Sequence, residues 1–204
     1  MKIQELYETP MLIGDYDFDP SIDKYDLTDS DENTKAYEKI MNSSKSRQIE
    51  KHNDSQYLYS YGDKIVLLNV VLKTVDYYVK IFQGKFKITG KYATQVEVWR
   101  SKDRAVHGVV EKVFFDYILK SHNTILSDSL QTNDGKRLWV NLVSYAFERG
   151  LNVYVVDLNN GRLITVNDDN EYSKNISKFY STTKSSEMVR IMISTEQYQN
   201  SVPV

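Results

Sequence analysis

Apolar side chains between Gln95 and Val156 change their spacing in a way that predicts alternating strands and helices. Short β-branched runs are typical of covered strands, and an apolar stripe recurring at the helical period is typical of an amphipathic helix. One stripe contains Val109, Val110, Val113, Phe114, Tyr117 and Ile118, and a second contains Leu138, Trp139, Leu142, Val143 and Ala146. The order strand, helix, short strand, helix, strand implies crossover connections and strands covered on both faces.

The second helix has recognisable ends. Thr132 with Asp134 fits its start, because a hydroxyl accepts from a free N–H group and a carboxylate suits the positive end of the dipole. Gly150 fits its end, since glycine readily adopts the left-handed conformation found there. Before the two helices we expect a four-stranded meander over residues 56–61, 64–73, 76–82 and 95–100.

The remaining segments carry weaker signals. We expect a short helix over residues 31–41 and a last strand over residues 188–193. Asn160-Gly161 between two apolar runs predicts a tight hairpin. Polar sequence without a clear period predicts a loop or a frayed helix over residues 42–55, and polar, Ser/Lys-rich sequence predicts a loop over residues 173–187.

One group of residues has a spacing that points to a known family. The group is Ser127-Asp128, Gln131-Thr132, Gly135, Leu138-Trp139 and the run RGLNVYVVD that ends at Asp157. It resembles the core of the GNAT (N-acetyltransferase) superfamily, and specifically the small GNAT-like proteins of tailed bacteriophages. The resemblance covers about residues 56–167 in its order of elements.

The resemblance implies a fold class and a domain organisation. The fold is α/β, with a GNAT-like mixed, mostly antiparallel sheet flanked by helices. We expect the GNAT-like core, with a C-terminal strand, over residues 56–204. An acidic N-terminal extension, residues 1–55, precedes it, and its short helix is expected to pack on the core.

The resemblance also implies acetyl-CoA as cofactor. In the GNAT fold the strand before the first crossover helix splays from its neighbour, and its backbone binds the pantetheine arm. The following loop and helix N-terminus hold the pyrophosphate. The corresponding residues here are Val98, Trp99, Arg100, Arg104, His107 and Gly108. The usual loop pattern, Gln/Arg-x-x-Gly-x-Gly/Ala, is incomplete, because Val109 and Glu111 stand where its glycines belong.

Candidate catalytic residues follow from the same resemblance. GNAT enzymes bring an amine beside a thioester, so a carboxylate or water takes a proton, and a Tyr or Ser on the later helix returns one to the thiolate. Ser144 and Tyr145 lie on that helix, and Asp128 follows the short strand 124–126. Strand ends are common places for function in open α/β sheets. The alternatives are a turn or cap for Asp128 and packing for Tyr145.

Composition narrows the class of protein. The chain has 204 residues, of which 41% are hydrophobic and 26% charged, as expected for one globular domain with a sizeable core. No apolar run approaches the roughly 20 residues of a membrane span, so we expect no membrane partner. The N-terminus lacks the apolar region of a signal peptide. The absence of Cys excludes disulfides and thiolate sites, which fits a cytoplasmic protein.

Charge is distributed unevenly along the chain. Residues 1–35 carry ten acidic residues and three lysines, a net charge of −7, so the remainder carries +5 of the total of −2. A basic body suits an anionic ligand such as a phosphorylated cofactor, whereas the alternative is an acidic flank that contacts the body's own lysines. Asp15 to Asp26 imitates the ligand spacing of a calcium-binding EF-hand. Pro20 stands where that loop needs a positive φ, so we predict no metal site and an irregular, exposed segment over residues 14–32.

Three functions stay open. The first is an acyl-CoA-dependent N-acyltransferase acting on an amine acceptor. The second, favoured by the missing glycines, is a catalytically inactive GNAT-like phage protein that binds a host or virion protein. The third is a DNA-base-modifying GNAT relative, although a pI of about 6.0 and the missing RNP aromatic signature argue against nucleic-acid binding. We expect the protein in the host-cell cytoplasm or associated with the virion.

Overall fold

The computed structural model describes residues 21–22, 25–86, 88–101, 106, 108–127, 133–158, 160–179 and 189–199. Its strands are β1 Ser21–Ile22, β2 Tyr25–Asp26, β3 Ser46–Lys51, β4 Gln56–Tyr61, β5 Lys64–Asn69, β6 Thr74–Lys85, β7 Tyr92–Arg100, β8 Thr124–Leu126, β9 Asn152–Asp157, β10 Arg162–Val166 and β11 Val189–Ser194. Its helices are α1 Ser30–Met41, α2 Val109–Lys112, a π-helix Val113–Leu119, α3 Lys120–His122, α4 Asn133–Glu148 and α5 Asp169–Phe179.

Nine strands follow the hydrogen-bonded order β10-β9-β11-β8-β7-β6-β5-β4-β3, and β1 pairs with β2 in a separate sheet. Pairing is antiparallel within the β3–β6 meander and between β11 and each of its neighbours. Only β7 with β8 is parallel among the described pairs. The prediction of an α/β fold with a mixed, mostly antiparallel sheet is therefore confirmed. No helix within the described ranges is long and apolar enough to cross a membrane.

The chain divides into two compact units. The first, here called the α1 unit, comprises Asp17–Phe82 and Val96–Val113. The second, the α4 unit, comprises Gln83–Gln95 and the described residues of Phe114–Val204. The predicted division at residues 55 and 56 stays a prediction, and the acidic residues 1–20 lie outside the described residues.

Helix α1 forms as predicted and is fixed to the sheet by its own polar residues. Asp29 caps it, its carboxylate accepting from the backbone N–H groups of Asp31 and Glu32 at 2.9 Å. The buried amide of Asn33 donates to the carbonyl of Val75 at 3.0 Å and accepts from the Val75 N–H at 2.7 Å. The core of the α1 unit contains Leu27, Ala36, Tyr37, Ile40, Tyr61, Val66, Leu68, Val75, Tyr78 and Trp99.

Most residues of the predicted stripes on the two later helices are buried. Residues 109–113 of the first stripe belong to the α1 unit, and the other stripe residues belong to the α4 unit. Phe114 and Trp139 meet edge to face, with ring centroids 6.1 Å apart. Both side chains are buried, so these helices turn their apolar stripes inward as predicted. Gly150 and Gly161 adopt positive φ values of 65° and 62°, at the end of α4 and in the β9–β10 hairpin where the sequence predicts turns.

Two predicted loops are wrong in part. Residues 42–55 contain β3, a strand whose mostly polar side chains are exposed or half-buried. It lies at the end of the strand order, where backbone pairing with β4 decides the conformation. Residues 173–187 overlap α5, which begins at Asp169. The Asp168 carboxylate accepts from the Glu171 N–H at 2.7 Å, and Glu171 accepts from the Asn167 N–H at 2.8 Å, a reciprocal cap that the sequence analysis did not recognise.

Candidate functional site

The end of β7 carries the described cofactor candidates of the α1 unit. Trp99 is buried and stacks on Tyr78, with ring centroids 6.2 Å apart and planes at 18°. Arg100 follows it with an exposed side chain, and the Ser101 N–H donates to the carbonyl of Asp76 at 2.9 Å. The core therefore holds the Trp99 ring, whereas the Arg100 guanidinium is accessible to an anion. Arg104 and His107 lie outside the described residues.

Gly108 marks the start of the helix that follows. It is the N-cap residue of α2, with a left-handed φ of 71°, a conformation that glycine adopts without steric cost. The adjacent Val109, which occupies a family glycine position, is buried rather than exposed on a phosphate loop. The first turn also contains Glu111, whose charge opposes an anion there. Gly108 thus begins this helix without the glycine-rich loop of the family.

A buried polar cluster that the sequence analysis missed supports the end of β7. Asp76 is fully buried. Its carboxylate accepts from the Gln56 amide at 2.7 Å, the Asn69 amide at 3.3 Å and the Thr74 hydroxyl at 2.9 Å. Asn69 also accepts from two backbone N–H groups of the β5–β6 turn, at 3.2 and 3.0 Å. The buried Asp76 carboxylate therefore organises this turn, and the backbone carbonyl of the same residue accepts from the Ser101 N–H.

The candidate catalytic residues of the α4 unit have structural partners. The Ser144 hydroxyl lies 2.9 Å from the Asp169 carboxylate and 3.3 Å from the Val140 carbonyl, so its one proton is donated to one of these two acceptors. Tyr145 is half-buried beside Arg149, whose guanidinium carbon lies 5.9 Å from its ring centroid. Asp128 lies outside the described residues. The cofactor candidates thus belong to the α1 unit, and Ser144 and Tyr145 to the α4 unit.

Strand β7 continues beyond its parallel neighbour. The parallel register joins Thr94 to Ile125 and Gln95 to Leu126, where β8 ends. The next residue, Ser127, exchanges hydrogen bonds with β11 instead, since its N–H donates to the Ile191 carbonyl at 2.8 Å. Residues 96–100 of β7 therefore extend past the end of β8.

Comparison with known proteins assigns no family to the chain. No protein-family model, no curated protein and no solved structure matches it. Within the described residues, no group of three or more His, Asp or Glu side chains could hold a metal ion. The GNAT resemblance therefore rests on the residues and the element order given above.

Proposed function

We propose that this chain is a GNAT-like protein of phage type that binds an acyl-CoA and transfers its acyl group to an amine. The observation that carries the proposal is the short parallel contact between β7 and β8, which ends at Gln95 and Leu126 while β7 runs on to Arg100. A crossover helix then follows from Gly108. The GNAT fold uses a strand that splays from its neighbour before the crossover helix in the same order.

The residues present fit the phosphate end of an acyl-CoA in part. Arg100 offers an exposed guanidinium, which pairs well with phosphate oxygens. Gly108 begins a helix whose dipole favours an anion at this end, and the Val109 N–H already donates to the Val106 carbonyl at 3.2 Å. Glu111 opposes an anion there, so we expect affinity below that of a complete glycine-rich loop. The bound cofactor would supply an activated thioester, and this chain would position it.

Acyl transfer itself has strict requirements. The amine nitrogen forms a bond to the thioester carbon, the carbon–sulfur bond breaks, the amine loses a proton and the thiolate gains one. The Ser144 hydroxyl already donates to Asp169 or Val140, which favours Tyr145 as the proton donor. The missing family glycines, at Val109 and Glu111, favour a second function, a GNAT-like protein that binds a host or virion protein without transferring an acyl group.

Thermal unfolding with acetyl-CoA tests the proposal. Acetyl-CoA at 100 times its dissociation constant should stabilise the chain by about 2.7 kcal/mol. Replacing Arg100 with Gln should weaken binding about tenfold, as expected for the loss of one charge-assisted phosphate contact. Arg162→Gln is the matched control, because Arg162 is also an exposed arginine on a strand but belongs to the α4 unit. The absence of any shift, or an equal effect of both substitutions, would refute acyl-CoA binding at β7.

A second measurement separates the two functions. Release of free thiol from acetyl-CoA on addition of simple amines would support acyl transfer, and Tyr145→Phe should then reduce it while binding is preserved. Binding of acetyl-CoA without thiol release would instead support the non-catalytic function.

A further inference from the structure

An open pocket of about 350 Å³ lies in the α4 unit. Its floor is apolar, formed by Phe115, Leu119 and Leu151, and the first two are buried. Its rim is polar and charged, formed mainly by Asp116, Lys120 and Arg149. An apolar floor with a few converging polar groups is typical of sites for small ligands, and this volume is at the small end of their range.

The helical segment that forms one wall explains why these side chains share a face. Phe115, Asp116 and Leu119 belong to the π-helix, and Lys120 follows it directly. A π-helical turn is wider than an α-helical turn, with hydrogen bonds from residue i to i+5, so residues four and five apart are aligned along the wall. Such segments are rare and frequently accompany functional sites.

On the opposite side of the pocket, neighbouring groups fix the position of the Arg149 guanidinium. Arg149 follows α4, and its guanidinium carbon lies 4.7 Å from the centroid of the Phe115 ring. One of its nitrogens donates to the Tyr145 carbonyl at 3.4 Å. Stacking against an aromatic ring fixes the plane of a guanidinium, and its five N–H donors allow it to bind more than one acceptor.

The charges on the rim decide which ligand fits. A simple anion would meet the Asp116 carboxylate, and a simple cation would meet Lys120 and Arg149. A ligand with one group of each sign meets an opposite charge at each of these three residues. We infer that the pocket binds a small zwitterion with an apolar side chain, the chemistry of a free apolar α-amino acid. Arg149 and Lys120 hold its carboxylate, Asp116 its ammonium, and the floor its side chain.

This inference does not depend on acyl-CoA binding. The cofactor candidates lie on β7 and at the start of the helical segment, at Gly108, in the α1 unit. The pocket lies at the end of that segment and in the α4 unit. Failure of one proposal therefore leaves the other intact.

Calorimetric titration of the full chain with L-leucine tests the inference. We expect saturable binding, and binding at least about tenfold weaker for isocaproate, which lacks the ammonium, and for isoamylamine, which lacks the carboxylate. Glycine, which lacks the apolar side chain, should also bind at least about tenfold more weakly. No saturable heat with L-leucine up to about 10 mM, or equal affinity for leucine and isocaproate, would overturn it.

Two substitutions assign the contacts. Asp116→Asn should remove the preference for leucine over isocaproate. Arg149→Gln should remove the preference for leucine over isoamylamine. Arg162→Gln, outside the pocket, should change neither preference. If Lys120 and Arg149 only stabilise the ends of α3 and α4, the unaltered chain shows no preference among these ligands, and Arg149→Gln only lowers the stability of the fold. The analogue series uses the unaltered chain, so a variant that does not fold leaves the test valid.

Discussion

Replacement of Asp76 tests whether the buried carboxylate organises one end of the α1 unit. The side chain is fully buried and accepts from Gln56, Asn69 and Thr74. Asp76→Leu keeps a similar size but offers no acceptor to these three donors. Asp76→Asn keeps one oxygen and replaces the other by a donor group. The two substitutions therefore separate the shape of the side chain from its hydrogen bonding.

The hydrogen-bond geometry predicts a different loss of stability for each substitution. In Asp76→Leu the donors lose their partner, and each buried unsatisfied group costs about 1–3 kcal/mol, so we expect a loss of at least about 3 kcal/mol. In Asp76→Asn the remaining oxygen can still accept from the two amides, while the Thr74 hydroxyl turns to accept from the new amide. Only the additional strength of bonds to a charge is then lost, and removal of a buried charge offsets part of it. For Asp76→Asn we expect a loss of stability of about 1–2 kcal/mol.

Urea denaturation followed by circular dichroism measures both variants against the unaltered chain. Asp54→Asn serves as the control, because Asp54 is a fully exposed carboxylate paired with Lys51, and its loss should stay within about 0.5 kcal/mol. Hydrogen exchange at the Ser101 amide, which donates to the Asp76 carbonyl, should accelerate more in Asp76→Leu than in Asp76→Asn. Equal stability of the two variants would refute the role of these hydrogen bonds in stabilising the α1 unit.

Two further measurements test the cores and the charge environment. Trp139→Ala should cost about 3–5 kcal/mol, because it empties a buried site against Phe114; a loss below about 1 kcal/mol would contradict that packing. Burial, and then the nearby Lys112 ammonium, lowers the pKa of His52 in the folded chain. The unfolded chain then binds more protons, so stability should fall as the pH decreases below about 6.5 and towards the lowered folded pKa. His52→Gln should flatten this part of the pH–stability curve, and an unchanged slope would contradict the assignment.

The sequence predicted correctly those elements that are specified by residues close together in the chain. The helices around Phe114 and Trp139 followed from apolar spacing, and the β9–β10 turn followed from Asn160-Gly161. Strand β3 carried no such signal, because its side chains are mostly polar and none is fully buried, so its pairing partner β4 decides its conformation. For α5 a local signal was present, in Asp168 with Glu171 three residues later, but the polar composition of the segment obscured it.

The candidate site was less predictable, for a physical reason. Val98, Trp99 and Arg100 could be placed at the end of a strand from sequence, but alternation alone did not reveal that the Trp99 ring packs on Tyr78. The Asp76 cluster joins residues as far apart as Gln56 and Asp76, which only the strand register brings together. Asn69, Thr74 and Asp76 did interrupt an otherwise apolar run, and a polar interruption between two central strands is the signal that could have located the cluster.

The position of this cluster has a consequence for function. A buried carboxylate with several donors is costly to desolvate, so it contributes to stability only while every donor remains in place. Its backbone carbonyl also holds Ser101, directly after the exposed Arg100. The end of β7 is therefore fixed from one side by the core through Trp99 and from the other by Asp76. A guanidinium on a strand end held in this way loses little backbone freedom on binding an anion, which is the condition under which a single arginine contributes most to affinity.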